Sequence, residues 1–236
     1  MGEVRGRLIA RIKRTPSVES FQFVTQAPFD FFPGQFLELI FDEENRGNKE
    51  LNKYLSLSSS PGLPYVEVTK RLSNSLFSSR LKALAFNDRV ILKGPLGNCV
   101  YRDEYRRIGF LIGGIGITPV ISIIEYITRN ALDTDVVLVY SNRTEEEIAF
   151  KKELDRWQSL NSQVKVIYLV TDCQPKDATC VYGTINKELL RSRVCDLNRR
   201  LFFIFGPPKM VEAMKTLAMD LDCASENIRT ETFIGY

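Results

Sequence analysis

Apolar residues recur along this chain in two different rhythms. Up to about Tyr101 they come in short, β-rich, partly alternating runs: RGRLIARIKRT, SVESFQFVT, GQFLELIF, KYLSLSS, YVEVTK and DRVILKG. Alternation of this kind marks strands with one buried face. Turn formers separate the runs, at Thr15-Pro16, Pro33-Gly34, Asn45 to Asn48, Pro61-Gly62 and Asn87-Asp88. Six short strands at this spacing predict a small antiparallel β-barrel or sandwich. One helical patch, NSLFSSRLKAL, interrupts them, with Leu76, Phe77, Leu81 and Leu84 on one face.

From Arg107 the rhythm changes. RIGFLIG reads as a buried strand and PVISIIEYITRN as a helix. DTDVVLVYS is the next strand, and EEEIAFKKELDRWQSL the next helix, starting at Glu145. Strand QVKVIYLV, helix NKELLRSRV, strand RLFFIFG, helix PPKMVEAMKTLAMDL and strand NIRTETF complete the series. Strand and helix in alternation predict a parallel, Rossmann-like α/β sheet covered on both faces. The expected architecture is therefore two domains, a six-stranded barrel over 1–103 and an α/β domain over 104–236, joined at the charged stretch YRDEYR.

Composition narrows the chemistry. The 236 residues contain no histidine, so Ser-His-Asp and Cys-His catalysis and imidazole metal sites are excluded. Five scattered cysteines form no C-x-x-C pair and fit no zinc or iron–sulfur spacing. No metal site is expected, and reduced thiols suggest the cytoplasm. A net charge of +3 without a dense basic face argues against nucleic acid. The longest uncharged stretch, Ile108 to Ile124, is short for a bilayer span and is broken by glycine and proline, so no membrane association is expected.

Where the first α/β strand meets its helix stands GGIGITP, residues 113–119. Gly113, Gly114 and Gly116 give the backbone freedom to turn and let a phosphate approach closely, beyond the carboxyl end of a parallel strand. Thr118 reads as the N-cap and Pro119 as the first helical residue. Taken alone, this turn could serve only tight strand–helix packing. A second turn of similar form, Gly206-Pro207-Pro208, ends the strand RLFFIFG. Two such turns facing one crevice suit a dinucleotide.

The ordered pieces PGQF (33–36), KYLSLSSSP (53–61), NSLFSSRL (74–81), GPLGNCV (94–100), GGIGITP (113–119), YSNRTEEEIAF (140–150), FGPPKM (205–210) and ETFIGY (231–236) cover nearly the whole chain. In that order they resemble the ferredoxin–NADP reductase superfamily. The resemblance implies an FAD-binding barrel, an NAD(P)-binding second domain, and hydride transfer from nicotinamide to flavin. The chemistry is then the cofactors' own, and histidine is not needed. The electron acceptor would be a separate ferredoxin-like protein, an oxygenase component or a small molecule.

By the same resemblance, Lys53, Tyr54, Leu55, Ser56, Leu57 and Ser58 form the flavin-binding strand. Ser56 falls at the flavin N5 edge, and Ser59 closes the motif. Lys53 and Leu55 stand where the family has arginine and tyrosine. Tyr54, one residue from Leu55, points to the opposite strand face and is not expected to replace that tyrosine. Thr69 and Lys70 would touch flavin through backbone. Free N–H groups of Ser75, Leu76 and Phe77, behind a cap at Asn74 or Ser75, would face its pyrophosphate. On the nicotinamide side the implied contacts are Thr118, Pro119, the glycines at 113, 114, 116 and 206, Pro207, Pro208 and Met210. Ser141, Asn142 and Arg143 end the second α/β strand; Ser141 with Arg143 could take a 2′-phosphate, so NADH and NADPH both stay open. Phe205 replaces the family's cysteine and would crowd the nicotinamide. Glu231 would bind the carboxamide or move a proton, with Phe233 covering the flavin ring. Ser56, Thr118 and Glu231 are the implied catalytic residues. The alternative is a nucleotide-binding regulatory subunit with little reductase activity of its own.

Overall fold

The computed structural model describes residues 2–233. Met1 and the last three residues of ETFIGY lie outside the described residues. The first sheet is formed by β1 (Gly2–Lys13), β2 (Val18–Thr25), β3 (Phe36–Ile40), β4 (Lys53–Ser56), β5 (Val66–Arg71) and β6 (Arg89–Leu96). Their order is β4-β3-β6-β1-β2-β5, all neighbours antiparallel. A bridge from Leu57 to Val68 joins the two edge segments, so the sheet is a nearly closed barrel. Closure removes most of the exposed edge. The inward positions of the alternating runs, among them Leu8, Phe21, Phe23, Leu37, Leu39 and Leu92, fill the interior.

Helix α1 (Leu76–Ala83) closes the barrel. Phe77 and Leu81 are fully buried, whereas Leu76 is 57% exposed. The expected four-residue apolar face is thus narrower, because Leu76, as the first helical residue, lies at the rim of the packed face.

The second sheet is parallel and also six-stranded among the described residues. It comprises β7 (Arg107–Gly113), β8 (Asp135–Asn142), β9 (Val164–Val170), β10 (Cys180–Tyr182), β11 (Leu201–Gly206) and β12 (Ile228–Thr232), in the order β10-β9-β8-β7-β11-β12. The three-residue β10 was not expected from sequence. It is too short to show alternation and sits among turn formers. Helices α2 (Thr118–Arg129), α3 (Lys151–Leu160), α4 (Lys187–Arg193) and α5 (Pro208–Met219) connect the strands. Two apolar clusters cover the sheet's two faces, one containing Ile112, Val120, Ile124 and Tyr140, the other Leu111, Val139, Ile204 and Val211.

The helix expected from Glu145 begins at Lys151 instead. Glu145–Glu147 form a separate 3₁₀ turn, and Phe150 adopts φ 61°, a left-handed conformation that breaks the run. Ile148, Ala149 and Phe150 are buried, and the Arg14 guanidinium lies 4.2 Å from the Phe150 ring centroid. Packing against the barrel therefore overrides helix propensity here.

Candidate functional site

The main cleft runs between the barrel and the parallel sheet and has a volume of about 440 Å³. The barrel contributes Phe36, Lys53, Tyr54, Leu55, Ser56, Thr69, Lys70 and Leu96; the second half contributes Ile115, Thr118, Glu231, Thr232 and Phe233. Apolar and aromatic walls with a few converging polar groups are the usual make-up of a small-molecule site.

Pairing with β3 sets the register of β4: Phe36 lies opposite Ser56, and Glu38 opposite Tyr54. The side chains of Tyr54 and Ser56 thus share one face, while Leu55, 8% exposed, joins the barrel core. Tyr54 is 63% exposed at the cleft and meets Phe36 edge-on, centroids 5.8 Å apart. The aromatic wall is therefore built by Tyr54 with Phe36, contrary to the sequence expectation for Tyr54. Leu57 and Ser58 do not border the cleft. Leu57 is core, and the Ser58 hydroxyl lies 2.7 Å from that of Thr69 while donating to Glu67 at 3.1 Å.

Lys53 and Lys70 both line the cleft. Burial and the neighbouring Lys53 charge push Lys70 below the usual lysine range. Two ammonium groups this close favour an anion between them. At α1, Ser75 is the cap, its Oγ accepting from the Ser78 N–H at 3.2 Å. The Ser75 N–H donates to Ser73 Oγ at 3.3 Å and is not free. The hydroxyls of Ser73, Ser75 and Ser78 form one cluster at this helix start. Ser78 went unnoticed in the sequence, although its spacing from Ser75 is that of a capping pair.

On the other wall, Gly114 has φ +53°, which favours glycine, and it opens a 3₁₀ turn through Ile117. Gly116 answers a packing need: a Cβ there would sit 2.3 Å from the Phe205 carbonyl oxygen. Thr118 is the first helical residue, not the cap, and its hydroxyl donates to the Ile115 carbonyl at 3.2 Å. Pro119 accordingly falls second in the helix. Phe205 is fully buried and stacks on Phe203, 6.0 Å between centroids. It points into the core and does not crowd the cleft. The Met210 sulfur instead lies over both glycine turns, 2.9 Å from a Cβ built on Gly113 and 3.2 Å from one on Gly206. Pro207 is the cap of α5 and Pro208 its first residue, both exposed.

At the end of β8, Ser141 is half-buried, Arg143 exposed, and Asn142 buried, its carboxamide beside the Tyr140 hydroxyl. Glu231 lies where β12 reaches the cleft. Burial pushes its carboxyl up to about 7. Cys99, close enough to feel that carboxyl, has its thiol pushed up to about 12, chiefly by burial, and is inert as a nucleophile.

The set of groups fits a flat heteroaromatic ring carrying a phosphate tail: aromatic walls, hydroxyls from Ser56 and Thr118, a carboxyl able to be neutral, and a cationic mouth. A barrel and a parallel α/β sheet sharing one such cleft define a class of two-domain nucleotide-binding proteins. The fold is similar to that of ferredoxin–NADP reductases.

A family model, the oxidoreductase NAD-binding domain, matches residues 110–216. NADH-cytochrome b5 reductase 1 of Dictyostelium discoideum is 35% identical over 71% of this chain and 60% of its own length. The chain thus spans less than two thirds of that relative. Among solved structures, a ferredoxin NADP+ reductase from Neisseria gonorrhoeae with bound FAD and NADP superposes with TM-score 0.83 at 20% identity, over 98% of this chain and 99% of the other. The cytochrome b5 reductase domain of Ulva prolifera nitrate reductase gives TM-score 0.83 at 21% identity, over 98% and 97%.

Proposed function

We propose that this chain is an NAD(P)H-dependent flavoprotein reductase that passes electrons from a nicotinamide nucleotide, through FAD, to a separate acceptor. The carrying observation is the shared cleft: Ser56, Thr118, Glu231 and Phe233, named from sequence as the reacting centre, come from both halves and border one cavity. When bound, the two cofactors supply hydride transfer from nicotinamide to flavin.

The protein's part is binding, alignment and proton handling. Lys53 and Lys70 hold the flavin phosphates, and the start of α1 adds its N–H groups. Tyr54, Phe36 and Phe233 wall the ring. Ser56 and Thr118 face the reacting edges from opposite sides. Glu231, with a pKa of about 7, holds or releases a proton at neutral pH. Gly113, Gly114, Gly206, Met210 and Asn142 line the nucleotide's path. The functional division falls at 1–103 and 104–236.

The similarity to cytochrome b5 reductases favours a haem protein of the cytochrome b5 kind as acceptor. All five cysteines are free, which fits a reducing compartment such as the cytoplasm. No helix among the described residues is long and apolar enough to cross a membrane.

The test is an anaerobic titration of the FAD-reconstituted chain. Bleaching of the flavin band by NADH or NADPH is expected, and the more effective nucleotide defines the preference. A chain that takes up no FAD, or whose FAD neither nucleotide bleaches, refutes this reading.

A further inference from the structure

Helix α2 is apolar almost throughout, with Val120, Ile121, Ile123, Ile124 and Ile127 all buried. Thr118, Ser122 and Glu125 interrupt it ahead of Thr128 and Arg129 at its end. Thr118, Ser122 and Glu125 stand at i, i+4 and i+7, one stripe along one helix face. The stripe faces the chain segment that leaves β4. Ser122 is fully buried, and its hydroxyl donates to the Ser59 carbonyl at 2.7 Å. A serine inside a helix usually bonds back to its own preceding turn; this one reaches across to the barrel. One turn further on, the Glu125 carboxylate accepts the Ser60 N–H at 2.7 Å.

Both ends of this contact lead to the cleft. Ser59 is three residues beyond Ser56, and it is tied to the barrel by its own hydroxyl, which accepts the Glu67 N–H at 3.0 Å. Ser122 is one turn beyond Thr118. Ser56 and Thr118 line opposite walls of the cavity. The separation of those walls is therefore spanned by a short path: Ser56, Ser59, Ser122, Thr118.

We propose that Ser122 and Glu125 are positioning residues: by clamping α2 to Ser59 and Ser60 they set the distance and angle between the flavin wall and the nicotinamide wall. Neither residue borders the cavity, so neither is a catalytic residue. Further contacts hold the halves together: Arg14 to Glu153, Arg71 to Glu147, the Tyr101 hydroxyl 2.7 Å from that of Thr134, and Tyr126 to Asp103. Arg14 meets α3, Arg71 reaches the turn at Gly114, and Tyr101 and Asp103 lie at the junction of the two halves. The Ser122 and Glu125 contacts are those that join α2 to the segment just beyond Ser56.

The clamp rests on the reductase reading for its functional consequence but not for its geometry, and the experiment separates the two. Ser122→Ala, Glu125→Ala and their double variant are compared with Glu125→Gln, which keeps an acceptor oxygen. In the full chain, residual dipolar couplings fitted separately to each half give their relative orientation without any cofactor. FAD affinity is read by fluorescence, and the limiting rate of flavin bleaching by saturating nucleotide by stopped flow. The double variant is expected to shift the orientation and to lose about 10- to 100-fold in limiting rate, since misplacement by about 1 Å costs that much. FAD affinity should stay within about twofold, and Glu125→Gln should recover most of the Glu125→Ala loss. An unchanged orientation in the double variant overturns the clamp. So does a rate loss matched by an equal loss of FAD affinity, which marks general destabilisation. If the parent chain is not bleached by either nucleotide, the reductase reading falls, and the orientation alone decides the clamp.

Discussion

At the scale of single residues, Glu231 carries the most informative environment. Its carboxyl is raised from an ordinary 4.5 to about 7 by burial alone. In the unfolded chain it ionises near 4.5; in the folded chain, near 7. The folded form thus holds the proton more tightly. Relative to a residue that does not titrate, its contribution is fully favourable below about pH 4.5 and declines as pH rises through 7. Thermal unfolding of the chain and of Glu231→Gln, followed from pH 4.5 to 8, should show the parent losing ground steadily to the variant. Parallel curves would place the carboxyl in water. Lys70 makes a second residue-scale prediction. Lys70→Met removes one of two clustered ammoniums at the cleft mouth. FAD affinity should fall about tenfold, by the loss of one charge-assisted contact to phosphate, as read by quenching of flavin fluorescence on titration.

Elements place these residues, and the two glycine turns show how. Gly114 is needed for its backbone conformation, φ +53°, whereas Gly116 is needed for space. At Gly116 the neighbour is backbone, the Phe205 carbonyl at the end of β11. A methyl there must push β11 away from the start of α2. Gly116→Ala should therefore destabilise by about 1–3 kcal/mol, as overpacking does, measured by urea unfolding. Gly183→Ala, at another positive φ but with open space around it, serves as a control for conformational strain alone. The same logic explains β4. Its four residues have no rhythm strong enough to fix which face is inward; pairing with β3 does so, and it sends Tyr54 to the cleft and Leu55 to the core.

On the scale of the whole molecule, the two halves meet across a partly ionic seam. Arg14 is 10% exposed at its side chain and lies between Glu67, 4% exposed, and Glu153. Its Nε also donates to Ser20 Oγ at 2.8 Å. Removing one partner of a buried ion pair strands the other. Gln22 and Ser58 still donate to Glu67 at 2.8 and 3.1 Å, which softens the effect. Arg14→Met should cost about 2–3 kcal/mol, at or below the usual range for such a break. Because the seam joins two folded units, differential scanning calorimetry is the suitable measurement: the loss should appear with a broadened or split transition. A single sharp transition at the parent temperature would remove Arg14 from the seam's energetics.

Much of this molecule was legible in the order of its residues. Alternation in the first half and strand–helix repetition in the second are local consequences of burying one face, so barrel and parallel sheet could both be read. The glycine turns could be read from their residue types, whereas Lys53, Ser56, Thr118 and Glu231 could be named as site residues only through the resemblance to a known family. What the residues alone left undecided were directions and partners across space. Phe205 turns into a ring stack with Phe203, Tyr54 stands with Phe36 at the cleft while Leu55 also packs into the barrel core, Thr118 enters the helix instead of capping it, and the helix expected at Glu145 waits until Lys151. Distant neighbours act at three of these places: β3 beside β4, the Phe205 carbonyl behind Gly116, Arg14 over Phe150. Periodicity reports which residues are buried. Which of two faces a side chain takes, and what it meets there, is decided only when distant segments pack.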